Sequence, residues 1–174
     1  MGCVTEVAPE DRVEEVHDMT PEVRLRNVED RDVEVFFDHQ ADPRAVEMAA
    51  FPARDKAEFA TRWARLRGDD ALFVRTVVVD GAVAGNLGSW KDSGQQLLGY
   101  WFGREFWGRG IATRALGLFV DDVSIRPLYA HVVTRNVGSI RVLEKCGFRR
   151  DRVQDSKAHA SDDGIDELVY VLTA

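Results

Sequence analysis

The sequence is poor in cysteine and in long apolar runs. Its 174 residues are enough for one domain whose core needs no disulfide, and they include two cysteines. Cys3 lies in an acidic segment and Cys146 near a predicted helix end, so we expect no structural disulfide. No apolar run approaches the roughly 20 residues of a membrane-spanning helix, and the first residues lack a signal-peptide pattern. We therefore expect a cytoplasmic protein that does not bind a membrane.

Basic charge is scarce as well. Lys and Arg number 23 against 30 Asp and Glu, which gives a net charge of −7. Residues 1–22 hold seven acidic residues and one basic residue, so the rest of the chain carries a charge of −1. A nearly neutral domain gives no support for nucleic-acid binding. We predict an acidic, flexible tail over residues 1–22, with an interaction role left open, and one folded domain over residues 23–174.

Several common catalytic and ligand-binding motifs are missing from the sequence. No Gly-Lys-Ser/Thr sequence forms a P-loop, and neither the GxGxxG dinucleotide fingerprint nor the GxSxG nucleophile elbow occurs. No pair of histidines has the spacing of metal ligands, so we predict no metal site. The four histidines of the sequence are His17, His39, His131 and His159.

The most informative segment that is present runs from Tyr100 to Phe119 and reads YWFGREFWGRGIATRALGLF. It predicts a short apolar strand, a glycine-rich turn and an amphipathic helix from about Gly110 to Val123. The first N–H groups of such a helix have no partner within it and carry partial positive charge, and glycine lets a ligand approach the backbone. The segment predicts a phosphate-bearing ligand, although a turn that binds nothing would have the same residues.

A second segment, Thr134 to Phe148, reads TRNVGSIRVLEKCGF and follows a predicted strand at Leu128 to Val133. Together with the WGRGIAT turn, its NxxSxxxLEKxGF pattern resembles the GNAT acetyltransferase superfamily, and most closely the RimJ/RimL-like branch. The resemblance extends from about Val23 to Leu172. It implies a single α+β domain with a mixed, mostly antiparallel sheet of about seven strands and about four flanking helices. Two of the strands would be splayed apart to hold acetyl-CoA.

Periodicity and turn residues predict the same order of elements. The segment from Ala41 to Phe51 stays ambiguous. The predicted elements outside the two segments are a strand at Val23–Arg26, a helix from Asp30 to about His39, a helix at Asp55–Leu66 ended by Gly68, strands at Leu72–Val79 and Ala82–Leu87 around an Asp80-Gly81 hairpin turn, a strand at Leu97–Phe102, a helix at Val137–Cys146, a strand at Phe148–Val153, a polar loop at Gln154–Gly164 and a last strand at Ile165–Leu172.

The resemblance also implies where acetyl-CoA binds. The strand before the glycine turn would offer unpaired backbone groups to the pantetheine amides, like an added strand. Three of the residues that the resemblance implies could instead have ordinary structural roles. Asn136 is a natural helix N-cap, and Arg141 and Lys145 could form a solvated basic face of the helix. The implied residues are Trp101, Phe102 and Gly103 for the pantetheine, Gly108, Arg109, Gly110, Ile111, Ala112 and Thr113 for the pyrophosphate, Asn136 for the pantetheine arm, Ser139 for the thioester sulfur, and Arg141 and Lys145 for the ribose phosphate.

Two residues are candidates for the chemistry, which is attack of a neutral amine on a thioester. Many relatives place a tyrosine acid seven residues after the Asn, where this chain has Leu143. Ser139 is the nearest replacement as a donor to the leaving sulfur, or else a surface serine bonded to its own helix. His131 stands where some relatives have a Glu base, and an imidazole with an ordinary pKa of about 6.5 suits that role. It could equally be a packing residue, with water accepting the proton.

The sequence therefore predicts a metal-free, acetyl-CoA-dependent N-acetyltransferase. Its acceptor would be a primary amine, either on a small molecule or at a protein N-terminus, and a homodimer is one assembly that the resemblance allows. The alternative is a catalytically weak module that binds or senses an acyl-CoA on the same fold.

Overall fold

Seven strands form one central sheet in the described part of the chain. A computed structural model describes residues 20–50, 54–69, 71–158 and 166–174, with the backbone alone for residues 156–158. The strands are β1 Val23–Arg26, β2 Phe73–Val79, β3 Ala82–Asp92, β4 Gln95–Phe102, β5 Leu128–Val133, β6 Arg149–Arg150 and β7 Glu167–Leu172. They lie in the order β1-β2-β3-β4-β5-β7-β6, and of these neighbouring pairs the β4–β5 pair is parallel and the others are antiparallel. The predicted mixed, mostly antiparallel sheet is confirmed.

Tight hairpins connect β2, β3 and β4. Asp80 and Gly81 have φ values of 49° and 84°, which confirms the primed turn predicted from this pair of residues. Ser93 and Gly94 have φ values of the same sign, 48° and 86°, at the β3–β4 turn. Both strands that meet at this second turn are longer than predicted, because they extend up to the turn itself. This meander carries β4 to the middle of the sheet.

Six α-helices flank the sheet in the described residues, two more than the predicted four. The helices are α1 Asp30–Ala41, α2 Pro43–Ala49, α3 Lys56–Arg67, α4 Ile111–Asp122, α5 Val137–Lys145 and α6 Arg152–Ala158, with a single 3₁₀ turn at Arg104–Phe106. The two helices that were not predicted, α2 and α6, are short. The first lies in the segment before residue 51, which is ambiguous from the sequence, and the second lies in the segment predicted as the end of a strand and a polar loop.

Polar side chains explain the two unexpected helices. The Asp42 carboxylate accepts the N–H groups of Arg44 and Ala45, and Pro43 occupies the first turn of α2, where its missing N–H has no cost. In the same way the Asp151 carboxylate accepts two N–H groups at the start of α6. The strand predicted to reach Val153 therefore ends at Arg150, and the loop predicted at Gln154–Gly164 begins as helix; its residues 159–164 lie outside the described ranges.

Each face of the sheet carries its own core. On one face α4 and α5 pack Leu116, Phe119 and Leu143 against the strands, and on the other α1 and α3 bring together Phe36 and Trp63. Fully burying a side chain of this size stabilises a fold by about 1.5–3 kcal/mol. Helices therefore cover both faces, and any ligand must enter between elements.

The start of the domain differs slightly from the prediction. Pro21 and Glu22, assigned to the tail from sequence, contact the domain: the Arg114 guanidinium donates to the Pro21 carbonyl at 2.6 Å, and the Glu22 N–H donates to the Asp80 carboxylate at 2.9 Å. Residues 1–19 of the predicted tail lie outside the described ranges. No helix in the described ranges is long and apolar enough to cross a membrane.

Candidate active site

The two central strands, β4 and β5, separate along their length. Their parallel pairing is confined to Gln96 with Leu128 and Leu97 with Tyr129. Beyond this point β4 continues to Phe102 without a partner on its β5 side among the described strands. The strands are thus splayed as predicted, and backbone groups of β4 border a gap in the sheet.

Backbone alternation decides which groups of β4 face that gap. The Gly103 N–H donates to the Ala84 carbonyl in β3 at 3.0 Å. Because alternate residues of an antiparallel strand direct their backbone groups to opposite neighbours, Gly103 and Trp101 face β3, whereas Tyr100 and Phe102 face the gap. The geometry does not support the predicted backbone contacts of pantetheine at Trp101 and Gly103. Trp101 directs its backbone groups to β3, and Gly103 bonds through its N–H to Ala84 and through its carbonyl to the Phe106 N–H at 3.0 Å. Tyr100, which was not predicted, directs its backbone groups to the gap, as Phe102 does.

The glycine-rich turn leads from β4 into α4. The Trp107 indole N–H donates to the Phe102 carbonyl at 3.0 Å, which fixes the turn against the strand end. Gly108 and Gly110 have φ values of 72° and 74°, a region that favours glycine. A Cβ at either position would meet no heavy atom within 4 Å, so open space lies beside both glycines. With the partial positive charge of the α4 N-terminus, this space suits a phosphate.

A pair of hydroxyl groups lies across the gap. The Tyr100 Oη, from β4, and the Ser139 Oγ, from α5, are 2.7 Å apart. The Ser139 N–H donates to the Asn136 side-chain oxygen at 3.0 Å, which makes Asn136 the N-cap of α5 and fixes the first turn of that helix. Burial raises the pKa of Tyr100 far above its ordinary value, against the opposing effect of its hydrogen bond with Ser139. Tyr100 is therefore a neutral hydroxyl at any physiological pH.

These elements enclose a cleft of about 430 Å³, which we call the β4–β5 cleft. Tyr100 lines it, together with residues of α2. The structure brings most of the predicted cofactor residues to it. Those that line it are Trp101, Phe102, Gly108, Gly110, Ile111, Ala112, Thr113, Asn136, Ser139, Arg141 and Lys145.

Two residues that were predicted to bind the cofactor, Arg109 and Gly103, are not among those that line the cleft. The Arg109 guanidinium lies over the Phe106 ring, 6.0 Å from its centroid. Gly103 has a structural role instead, because a Cβ there would lie 2.5 Å from the His39 Nε2. The position is glycine because the His39 ring fills the space that a side chain would need.

His39 is a buried residue that the sequence did not single out. Its ring is 8% exposed, its Nε2 lies 3.4 Å from the Glu105 Oε1, and its carbonyl accepts the Trp101 indole N–H at 3.0 Å. Burial lowers the pKa of His39, although Glu105 acts in the opposite direction. The residue therefore connects α1 to the end of β4 as a largely neutral ring.

His131 lies away from the cleft. Its side chain is 38% exposed, and its Nδ1 is 3.3 Å from the Glu167 Oε2 on the neighbouring β7. The residues on either side of it are buried, which is the alternation of a strand with one exposed face. The predicted role of His131 as the base is therefore not supported by its position. Within the described ranges no group of three His, Cys, Asp or Glu residues could hold a metal ion.

Residues 22–149 match the family model of the acetyltransferase (GNAT) domain. The chain belongs to the GNAT acetyltransferase family. The matched range contains every described residue that lines the β4–β5 cleft. The cleft is thus part of the family's own domain.

Individual relatives agree with this assignment. The probable N-acetyltransferase YjcK of Bacillus subtilis is 38% identical over 61 residues, which are 33% of this chain and 34% of that protein, so the match spans about a third of its length. A GNAT-family acetyltransferase from Bacillus anthracis is similar in structure, with a TM-score of 0.72 and 19% identity over 87% of this chain and 94% of its own. Mycobacterium smegmatis RimJ, solved in complex with CoA-disulfide, has a TM-score of 0.70 and 26% identity over 87% of this chain and 82% of its own.

Proposed function

We propose that this protein is an acetyl-CoA-dependent N-acetyltransferase that moves the acetyl group directly to a primary amine in a ternary complex. The observation that carries the proposal is the Tyr100–Ser139 hydroxyl pair, 2.7 Å apart, in a cleft that also contains a glycine-rich helix start suited to phosphate. Family membership and the CoA-disulfide bound to RimJ support it. The 26% identity to RimJ also supports a place in the RimJ/RimL-like branch.

The donor side of the cleft suits the different parts of acetyl-CoA. The open space beside Gly108 and Gly110 takes the pyrophosphate, held by backbone N–H groups at the start of α4. Arg141 and Lys145 lie four residues apart on α5 and line the cleft, where they attract the remaining phosphate. The gap-facing backbone groups of Tyr100 and Phe102 border the path of the pantetheine arm.

The reaction needs few protein groups. The amine nitrogen forms a bond to the thioester carbonyl carbon, the C–S bond breaks, the sulfur takes up one proton and the nitrogen loses one. Ser139 donates a hydrogen bond to the developing thiolate, and Tyr100 orients the Ser139 hydroxyl. None of the described residues that line the cleft is Asp, Glu or His, and in this proposal the amine enters as the neutral form. Much of the rate then comes from holding the two reactants together.

The proposal extends to the cellular setting and to the acceptor. Because acetyl-CoA is an intracellular metabolite, the reaction belongs in the cytoplasm. The acceptor is a primary amine, either on a small molecule or at a protein N-terminus.

The experiment that tests the proposal measures release of the CoA thiol from acetyl-CoA with and without a panel of primary amines. Amine-dependent release, with the acetylated amine identified by mass spectrometry, is the expected result. Binding of acetyl-CoA without transfer to any amine would instead support an acyl-CoA-binding module on this fold. A rise in the melting temperature with CoA reports binding independently of transfer.

A further inference from the structure

The two sides of the β4–β5 cleft differ in chemistry. Tyr100 and Phe102 pack with the core under α4 and α5, and the two cationic side chains that line the cleft belong to α5. The next side chain along the strand, Trp101, points to the opposite face, where its indole N–H bonds to the His39 carbonyl of α1. The gap between β4 and β5 therefore joins a phosphate-binding side, on the α4–α5 face, to a second side on the α1–α2 face.

Apolar side chains form the second side. The helix α2 contributes Ala45, Met48 and Ala49, which we call the α2 wall, and Trp101 faces the same space. Met48 is 38% exposed, so a large apolar side chain borders the cleft without being covered by the protein. Burying such surface against a ligand is favourable in proportion to the apolar area removed from water.

The α2 wall is held in place by polar contacts outside the cleft. The Asp42 carboxylate caps α2 at the N–H groups of Arg44 and Ala45, at 2.9 and 3.2 Å. The same carboxylate lies 3.3 Å from the Arg104 Nε, in the turn that follows β4. The wall is therefore positioned relative to the strand end and the glycine-rich turn.

Carboxylates are absent from the residues of the described ranges that line the cleft. Arg141 and Lys145 are the charged side chains among the described residues that line it, and none of those residues is Asp or Glu. The whole sequence has 30 acidic residues, so this is a local feature and not a result of composition. A polyamine or an aminoglycoside carries several positive charges, and binding one without carboxylates would leave those charges desolvated and unpaired.

We infer that the acceptor bound on the α2 side of the cleft is a primary amine with an apolar or aromatic body instead of a polycationic amine. This rests on the proposed acetyl transfer. An apolar wall disfavours the ammonium form of a bound amine, because burial penalises charge, so the subsite selects the neutral nucleophile that the reaction requires. An apolar monoamine and an N-terminal residue with an apolar side chain share this chemistry.

The test compares phenethylamine, an aromatic monoamine, with the diamine putrescine as acceptors, by amine-dependent CoA release at saturating acetyl-CoA. The wild type is expected to favour phenethylamine in kcat/KM by at least about 10-fold, the lower end of what apolar pocket contacts contribute. Met48→Gln, a change to a polar side chain of similar size, should raise the KM for phenethylamine by a similar factor. Met48→Glu should do the same and also raise kcat/KM for putrescine above that of Met48→Gln, because only the carboxylate can pair with the second ammonium.

Leu118→Glu supplies the matched control, since Leu118 is 44% exposed and does not line the cleft. It should change neither the acceptor preference nor the KM for either amine. Equal or better use of putrescine by the wild type would overturn the apolar assignment while leaving acetyl transfer intact. A Met48 effect on the KM for acetyl-CoA, with that for the amine unchanged, would place α2 on the donor side and overturn the subsite. If no amine, including a peptide with an N-terminal leucine, releases CoA although acetyl-CoA binds, the transfer activity itself is wrong and this inference is wrong with it.

Discussion

The Tyr100 hydroxyl lies 2.7 Å from the Ser139 hydroxyl, so the strand β4 and the helix α5 meet at the β4–β5 cleft through the Tyr100 side chain. The Tyr100 Oη is also 3.3 Å from the Ser139 carbonyl, which anchors it to the first turn of α5. Ser139 is therefore not a surface serine bonded to its own helix alone. A tyrosine that stays neutral keeps the serine hydroxyl oriented for a partner in the cleft.

The hydroxyl pair predicts non-additive kinetics. Ser139→Ala should lower kcat by about 10-fold or more while acetyl-CoA still binds; this is less than the roughly 10²–10³-fold effect of an oxyanion-hole donor, because sulfur is a weaker acceptor. Tyr100→Phe should lower kcat by a similar factor through loss of the orienting bond. The double variant should then be little worse than Ser139→Ala, since both act through one contact. Steady-state kinetics at saturating acetyl-CoA measure this, and losses that multiply would show two independent roles.

The position of His131 predicts that it is dispensable for the rate. Its side chain is exposed and paired with Glu167, outside the cleft. His131→Ala should keep kcat/KM and its pH dependence, with the rate rising as more of the amine is neutral. The measurement is a pH–rate profile of both proteins with the same amine. Loss of a titration step near neutral pH in the variant would restore His131 as the base.

The glycine turn predicts a loss of CoA binding that can be separated from backbone strain. Gly110 and Gly81 both have positive φ, 74° and 84°, and at neither would a Cβ meet an atom within 4 Å. Gly110→Val and Gly81→Val should therefore both lower the melting temperature, because an L-residue in this region costs roughly 1–2 kcal/mol. Only Gly110→Val should also lose the CoA-induced rise in melting temperature, since only Gly110 borders the cleft. An unchanged rise in Gly110→Val would contradict the phosphate assignment.

The acidic composition of the first residues predicts that they are dispensable. Residues 1–19 carry six of the seven acidic residues found before residue 23, and they lack apolar residues at core spacing. We expect deletion of residues 1–19 to leave the melting temperature and the CoA-induced shift unchanged. Deletion through Glu22 should lower the melting temperature, because Pro21 and Glu22 bond to Arg114 and Asp80. A large loss of folded protein in the shorter deletion would be evidence that the segment docks.

Features fixed by neighbouring residues could be predicted from the sequence, and features fixed across the fold could not. Asp80-Gly81 gives a primed turn and Asn136 caps α5 because each depends on a few adjacent residues. The Tyr100–Ser139 bond joins residues 39 apart, so it depends on how far β4 and β5 diverge. The face of β5 on which His131 lies depends on register, because a shift by one residue would exchange its exposed position for a buried one in the core, like those of Ala130 and Val132.

The two helices that were not predicted, α2 and α6, show the same difference between local and tertiary signals. The signals for α2 are local, since Asp42 precedes Pro43 in a common helix start, and that pair of residues is enough to predict it. For α6 the Asp151 cap is local, but a second contact is tertiary. Asp155 is buried and accepts the Val169 N–H of β7 at 2.8 Å, which makes a polar segment pack as a helix. No pattern within the segment indicates that partner.

A buried carboxylate joins β1, α1 and β2 far from the cleft. Asp32 is fully buried, and it accepts two bonds from the Arg26 guanidinium at 2.5 and 2.7 Å, one from the Thr76 hydroxyl at 2.7 Å and one from the Glu29 N–H at 2.8 Å. Burial by itself raises the pKa of Asp32, but these hydrogen bonds and the charge of Arg26 outweigh it, and the net pKa lies below its ordinary value. The carboxylate is therefore charged and fully partnered in the folded state.

This network predicts both a mutational and an acid sensitivity. Asp32→Asn removes the main charged partner of Arg26 and leaves it the Glu29 carboxylate at 3.5 Å. Breaking a buried pair costs about 3–5 kcal/mol, which is an upper limit here because Arg26 is 28% exposed, and urea unfolding would measure the loss. Because the folded pKa of Asp32 is depressed, its contribution to stability is present above the unfolded pKa of about 3.9 and is lost as the pH falls through the folded value. The wild type should therefore lose stability below about pH 4 more steeply than Asp32→Asn.

Glu34→Gln, which removes an exposed ion pair with Lys56, is the control and should change stability little. Equal acid sensitivity in wild type and Asp32→Asn would mean that other carboxylates dominate acid unfolding.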